Sequence, residues 1–166
     1  MIIYFSIYTL LGYFMESVYV SLFQKKWISS GLLKGPFIPL YGVGSLCLII
    51  LSPYIYNNPL LTFIIGGIVL TILEYISSLY IEKIFHQKCW DYSKHIFNYQ
   101  GRICLIYFIV WAILSCLFIY YIHPFILSLC LNTDTMNIIS LIYISFILKS
   151  CVTKLCITKK NGLDIS

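Results

Sequence analysis

Apolar stretches about the length of a membrane-crossing helix alternate along this chain with short polar breaks. In the first, from about Ile2 to Phe23, the residues Thr9, Gly12, Tyr13, Glu16, Ser17, Ser21 and Gln24 recur at spacings of three and four. Such spacing places them on one helical face, opposite Ile, Leu, Val and Phe. A polar stripe turned towards neighbouring helices and an apolar face turned towards lipid are predicted. A second helix is predicted from about Ile38 to Leu51, extending towards Tyr56, with Tyr41, Gly42, Ser45 and Ser52 on its more polar face. The third, from about Leu60 to Ile81, aligns Gly67, Thr71, Glu74, Ser78 and Glu82. The fourth runs from about Ile103 to Tyr121 and continues past Pro124 to Leu131, which predicts a long, kinked helix. The fifth, from about Thr135 to Ile157, crosses only if Lys149 snorkels to the interface, and a half-inserted helix is its alternative.

Two polar islands interrupt this pattern. The first, Gln24 to Gly42, reads "QKKWISSGLLKGPFIPLYG", and its Gly31, Gly35, Pro36 and Pro39 break regular helix. The second, His86 to Arg102, reads "HQKCWDYSKHIFNYQGR" and concentrates polar groups that the rest of the chain lacks. A turn is predicted at "NTDT", Asn132 to Thr135, and a frayed polar tail at the end of the chain.

Composition makes the membrane reading firm. Of 166 residues, 60% are hydrophobic and 10% are charged, and the mean hydropathy is +0.90; soluble domains carry roughly a quarter charged residues. The fold class expected is all-α, a polytopic membrane bundle of about five transmembrane helices. Residues 1–157 would form one transmembrane domain and 158–166 a cytoplasmic tail. The first stretch has no basic leader and no small-residue cleavage site, so it reads as a retained span.

Charge orients the bundle. All 11 Lys and Arg fall in the first island, in or beside the second, or from Lys149 onward. The positive-inside rule then places the N-terminus outside, and both islands and the C-terminus in the cytoplasm. The net charge of +5 suits anionic lipid headgroups and makes no case for nucleic acid. A multi-pass protein of the bacterial cytoplasmic membrane is expected. The seven Cys include no C-x-x-C pair and mostly sit in or beside apolar runs, so no disulfide framework, metal or cofactor is expected. No P-loop and no nucleophile elbow occurs, so ATP hydrolysis would have to come from another subunit.

Glu16 and Glu74 are the sharpest candidates for chemistry. Glu16 lies nine residues before Lys25, and Glu74 nine before Lys83. At 1.5 Å per residue both sit roughly 13 Å from the cytoplasmic interface. A carboxylate at that depth costs about 2.5–3.5 kcal/mol to insert, so both are expected to face a packed interior or a wet cavity. They would serve as a substrate- or ion-binding pair or a proton relay, or else tie helices together through hydrogen bonds. Their matched positions also suggest two helical hairpins related as parallel repeats. In the islands, Trp27, Trp90, Tyr92 and Tyr99 suit an interfacial belt. Asp91 suits either an Asx-type turn cap through Tyr92 and Ser93 or a pair with Arg102, whose guanidinium could also grip a phosphate or carboxylate. Asn98 and Gly101 read as a turn into the fourth helix.

The segments "LGYFMES", "GLLKGPFIPLYGVG" and "LEYISSLYIEKIF…CWDYSKHIFNYQGRICL", between Leu11 and Trp111, resemble a bacterial membrane family described as "Putative ABC-transporter type IV", the CmpB-like permeases. The resemblance implies motif positions at Glu16, Gly31, Gly35, Pro36, Pro39, Tyr41, Gly42, Glu74, Trp90, Asp91, Tyr92, Ser93, Asn98, Gly101 and Arg102. Ser30 and Ala112 depart from it, standing where the family pattern has a basic residue and Gly. The resemblance implies a permease-like component that works with a separate ATPase subunit or as a homo-oligomer, in contact with membrane lipids. Its substrate site would draw on Glu16, Tyr41, Glu74, Trp90, Asp91, Tyr92, Asn98 and Arg102 around one cytoplasm-facing pocket. The alternative is an enzyme or binder acting on a lipid headgroup at the cytoplasmic leaflet, and a third reading is an assembly helper.

Overall fold

The computed structural model describes residues 1–129 and 134–163 and is mostly helical. Cys130, the first half of the turn expected at Asn132–Thr135, and the last three residues of the tail lie outside them. The elements are α1 (Ile2–Gln24), α2 (Pro39–Ile55), α3 (Pro59–Phe85), β1 (Asn98–Tyr99), β2 (Ile103–Cys104), α4 (Leu105–Leu117), a π turn (Phe118–Ile122), α5 (His123–Ser128) and α6 (Asp134–Leu163).

Local chemistry sets the boundaries. Helices α1 and α3 stop where Lys25 and His86 turn left-handed, at φ 52° and 53°. The Asn58 side chain accepts from the Leu61 amide to cap α3, with Pro59 behind it as a good first helical residue. Near Pro124, where a kink is expected, the structure has a π turn, in which the His123 amide reaches back to the Phe118 carbonyl just before the proline. Helix α6 is continuous from Asp134 to Leu163, so the positions expected to fray at 158–163 are helical. Among the described residues three stretches are long and apolar enough to cross a membrane: α3, the joined α4–α5 stretch Leu105–Ser128, and Asp134–Lys160 of α6. Helix α1 has 23 residues but is diluted by its polar stripe, and α2 has 17.

Packing is inside out relative to a soluble protein. Ile64, Ile68, Ile72 and Ile76 form an exposed row along α3, while Thr62, Gly66 and Glu74 on its other side are buried. Ser6, Thr9, Ser17, Ser45, Thr62, Ser115 and Ser140 are buried too. Small residues let the backbones approach, as in membrane helix pairs. At the α3–α4 seam, Ala112, Ser115 and Thr62 have 0% exposure. A Cβ at Gly66 would collide with Ser115, and one at Gly67 would lie 2.8 Å from Ala112 Cβ. Hydroxyls close the seam: Ser115 Oγ meets the Thr62 carbonyl at 3.2 Å, and Thr62 Oγ1 donates to the Ile55 carbonyl at 2.8 Å.

Contacts define two ends. At one, Tyr8 OH pairs with His123 Nδ1 at 2.7 Å and Ser6 reaches the Ser140 carbonyl. At the other, both polar islands fold over the helices: Ser150 donates to the Lys34 carbonyl at 2.9 Å, and Tyr75 donates to Gln100 Oε1 at 3.1 Å.

The second island contains a feature that an all-helical reading does not include, a two-stranded hairpin pairing Asn98 with Cys104 and Tyr99 with Ile103. Its turn has positive φ at Gln100 (54°) and Gly101 (65°), as primed hairpin turns need. The Arg102 amide closes it on the Tyr99 carbonyl at 3.0 Å.

Candidate functional site

The two carboxylates meet through aromatic side chains from the elements that follow them. Glu16 of α1 accepts from Tyr41 OH of α2 at 2.5 Å. Gly12, one turn earlier on α1, leaves room for the Tyr41 ring. Glu74 of α3 accepts twice, from Tyr92 OH of the second island at 2.9 Å and from the Trp111 indole N–H of α4 at 3.0 Å. The Tyr41 and Trp111 rings are 5.9 Å apart, centroid to centroid, which joins the two halves. Tyr92 stacks on Tyr107 at 4.3 Å, and Tyr107 OH meets Tyr19 OH at 2.9 Å. Tyr19 lies three residues after Glu16 on α1, so both ends of this run of contacts return to one face of that helix.

Glu74 is 3% exposed, yet each of its oxygens has a donor, as a buried carboxylate requires. Outside the membrane-spanning segments, Tyr92 has its phenol held well above the ordinary tyrosine range, first by burial and then by the Glu74 charge that it touches. It is therefore a fixed neutral donor. A small cavity of about 100 Å³ opens beside Tyr41 and Trp111, bounded by Met15, Ser45, Leu48, Leu70 and Phe118. That is far below the ~300–1,000 Å³ of drug-sized ligand sites.

The rest of the second island is tied to itself and to α3. Asp91 does not pair with Arg102. Its Oδ1 accepts from the Ser93 amide at 3.0 Å and, in a short contact, from the Ser93 hydroxyl. These bonds hold the exposed Asp91 carboxyl below its ordinary range. A partner two residues away needs almost no loop closure, which is why the local turn wins. Arg102 instead forms an ion pair with Glu82 and donates from Nη1 to Ser78 Oγ at 2.9 Å, so it grips two consecutive turns of α3. Trp90 Nε1 donates to the Arg102 carbonyl at 2.9 Å. Asn98 spans the turn, donating to the His95 carbonyl at 2.9 Å and accepting from the Gly101 amide at 3.1 Å. Replacing Asp91 with Ala is expected to speed amide hydrogen exchange at Tyr92 to Gly101 while leaving the helices unchanged, and exchange mass spectrometry reads both.

The site residues foreseen from the sequence thus separate into two groups. Glu16, Tyr41, Glu74 and Tyr92 share one circuit of contacts, whereas Trp90, Asp91, Asn98 and Arg102 build the loop that holds Tyr92 in place. Trp111, Tyr107 and Tyr19 were not singled out. Tyr107 and Trp111 lie four apart on one face of α4, and that spacing is the signal that could have found them.

The sequence model of the family described as "Putative ABC-transporter type IV" matches residues 3–155. The chain has no match among curated proteins or among solved structures. With nearly its whole length matched, the chain belongs to this family.

Proposed function

We propose that this family member is the membrane component of an ABC-type transporter that relies on a separate ATPase subunit, with its transported solute handled at the Glu16–Tyr41–Trp111–Glu74–Tyr92 circuit. The observation that carries the proposal is Glu74, a carboxylate buried at a point where α3, α4 and the second island converge. Burying it is costly, and intramembrane acids of this kind mark solute and proton paths. The cavity beside Tyr41 and Trp111 is too small for a metabolite, so the solute would enter only after α2 and α4 separate at those two rings.

In this reading all five helical stretches cross the bilayer, with α4, the π turn and α5 as one span. The N-terminus lies outside, and the two islands and the end of α6 lie in the cytoplasm of a bacterial cell. Helices of alternating direction support the five crossings, and the positions of the Lys and Arg residues support the orientation. A bundle this narrow would form its passage with a second copy or with the ATPase partner. The polar circuit would face the cytoplasm from beneath the second island.

The test is to capture the tagged full chain from its native membrane in mild detergent and measure ATP hydrolysis by the captured complex. Vanadate-sensitive hydrolysis that copurifies with the chain is expected, and Glu74→Gln should lower its solute-stimulated part at least tenfold without breaking up the complex. A chain that reaches the membrane intact but carries no hydrolysis would sink the reading.

A further inference from the structure

A cavity larger than the one beside Tyr41 and Trp111 lies away from the carboxylates. It lies between the first polar island and the second half of α6, has a volume of about 350 Å³, and has Lys34, Lys149 and Lys154 in its wall. That volume falls within the range of sites for small organic ligands. Most of the lining is apolar, with Phe37, Phe146 and Ile157 contributing to it.

The cavity is built rather than incidental. Three contacts clamp the island onto α6: Tyr143 OH donates to the Pro36 carbonyl at 2.7 Å, Ser150 Oγ donates to the Lys34 carbonyl at 2.9 Å, and the Phe37 and Tyr143 rings pack edge-on at 5.3 Å. Tyr143, Ser150 and Lys154 recur at spacings that share one helical face, so the residues that fix the island and one of the lysines belong to the same stripe of α6. Gly35, at φ 122°, lets the island turn back over Phe37 where any side chain would strike the Phe37 ring.

Among the described residues its charge is not paired with a carboxylate: the ion pair joins Arg102 to Glu82, and none of the three lysines is bridged. Three like charges on side chains that line one cavity raise a positive potential there, which an anion would offset. Lysine ammonium groups bind phosphate as compact point charges, and the apolar lining suits a ligand with a hydrocarbon portion.

We propose that this cavity binds a phosphate-bearing anion, with Lys34, Lys149 and Lys154 around the phosphate and Phe37, Phe146 and Ile157 along an apolar neighbour. An anionic phospholipid headgroup and free phosphate share this chemistry. The site is separate from the carboxylate circuit and does not depend on the transport reading.

The test uses the full chain purified in neutral detergent. Binding of phosphatidylglycerol is measured by native mass spectrometry against phosphatidylcholine, and binding of inorganic phosphate by calorimetry. The triple variant Lys34→Gln, Lys149→Gln, Lys154→Gln is compared with Lys25→Gln, Lys26→Gln, Lys83→Gln, which removes equal charge elsewhere on the same end. Each lysine near an anionic headgroup contributes roughly a fivefold effect, so a loss of at least about tenfold is expected in the first variant alone. Such a loss of phosphatidylglycerol assigns a lipid site, and such a loss of inorganic phosphate assigns a soluble-anion site. Equal losses in both variants, or no binding to the wild type, overturn the proposal. Circular dichroism with wild-type helicity shows that the triple variant is folded. If it is not, Lys149→Gln alone, on an exposed position, must weaken binding for the proposal to stand.

Discussion

Glu74→Ala is expected to lower the unfolding free energy of the detergent-solubilised protein by about 3 kcal/mol, and Glu74→Gln by less than about 1 kcal/mol. The reason lies in the two donors that converge on this carboxylate. With Ala, the Trp111 N–H and the Tyr92 hydroxyl both lose their acceptor in a buried place, at about 1–3 kcal/mol each. With Gln, the amide oxygen still accepts from Trp111, and Tyr92, whose hydroxyl can rotate, accepts from the amide nitrogen. Gln therefore keeps the hydrogen bonds and removes the charge. Chemical denaturation followed by tryptophan fluorescence would give the two stabilities. Equal losses in the two variants would mean that the charge itself, and not the pair of hydrogen bonds, holds the centre together. Near-native stability of Glu74→Gln with lost ATP turnover is the combination that separates a functional carboxylate from a purely structural one.

Gly66→Val is expected to cost about 3 kcal/mol or more, through a different mechanism. A Cβ at this position already collides with Ser115, which has 0% exposure and cannot swing into solvent. Two further methyls would force α3 and α4 apart, and overpacking in a tight core costs about 1–3 kcal/mol before any bond is lost. Separation would then break the Ser115–Thr62 hydrogen bond and lengthen the contact between Glu74 and Trp111, which sit on the two displaced helices. A double variant with Ser115→Gly would restore space and recover part of the loss. Thermal unfolding of the single and double variants measures this, and no recovery in the double variant would show that the seam is not the cause.

The helices were legible because apolar length and a polar stripe are both local properties. The stripe Gly67, Thr71, Glu74, Ser78 and Glu82 is a case in point: Glu74 holds Tyr92 and Trp111, while Ser78 and Glu82 receive Arg102. The partners were less legible because they depend on tertiary approach. Trp111 lies within an apolar run, where an indole reads as lipid-facing bulk until its N–H is seen to have an acceptor. Arg102 could have reached Asp91, but Ser93 is closer along the chain and satisfies that carboxylate first. The hairpin at Asn98–Cys104 was hidden by Gln100, a residue that seldom adopts positive φ. The clamp of the first island on α6 joins Lys34 to Ser150, and no periodicity reports a contact that distant in sequence.

The polar stripe of α1 bears on how the chain is made. Its buried Ser17 accepts from the Ser30 amide at 3.0 Å, Tyr13 OH meets Ser29 Oγ at 2.9 Å, and Glu16 accepts from Tyr41. All of those partners follow α1 in the chain and so emerge from the ribosome after it. Helix α1 alone is thus a poor candidate for release into lipid, whereas α1 and α2 together carry their own polar partners. The expected order of biogenesis is that the first helix waits at the translocon until the second arrives. Nascent chains arrested with about 30 residues emerged should remain extractable by alkaline carbonate, and chains arrested after about 70 should resist it. Full resistance of the shorter chain would show that the stripe imposes no such delay.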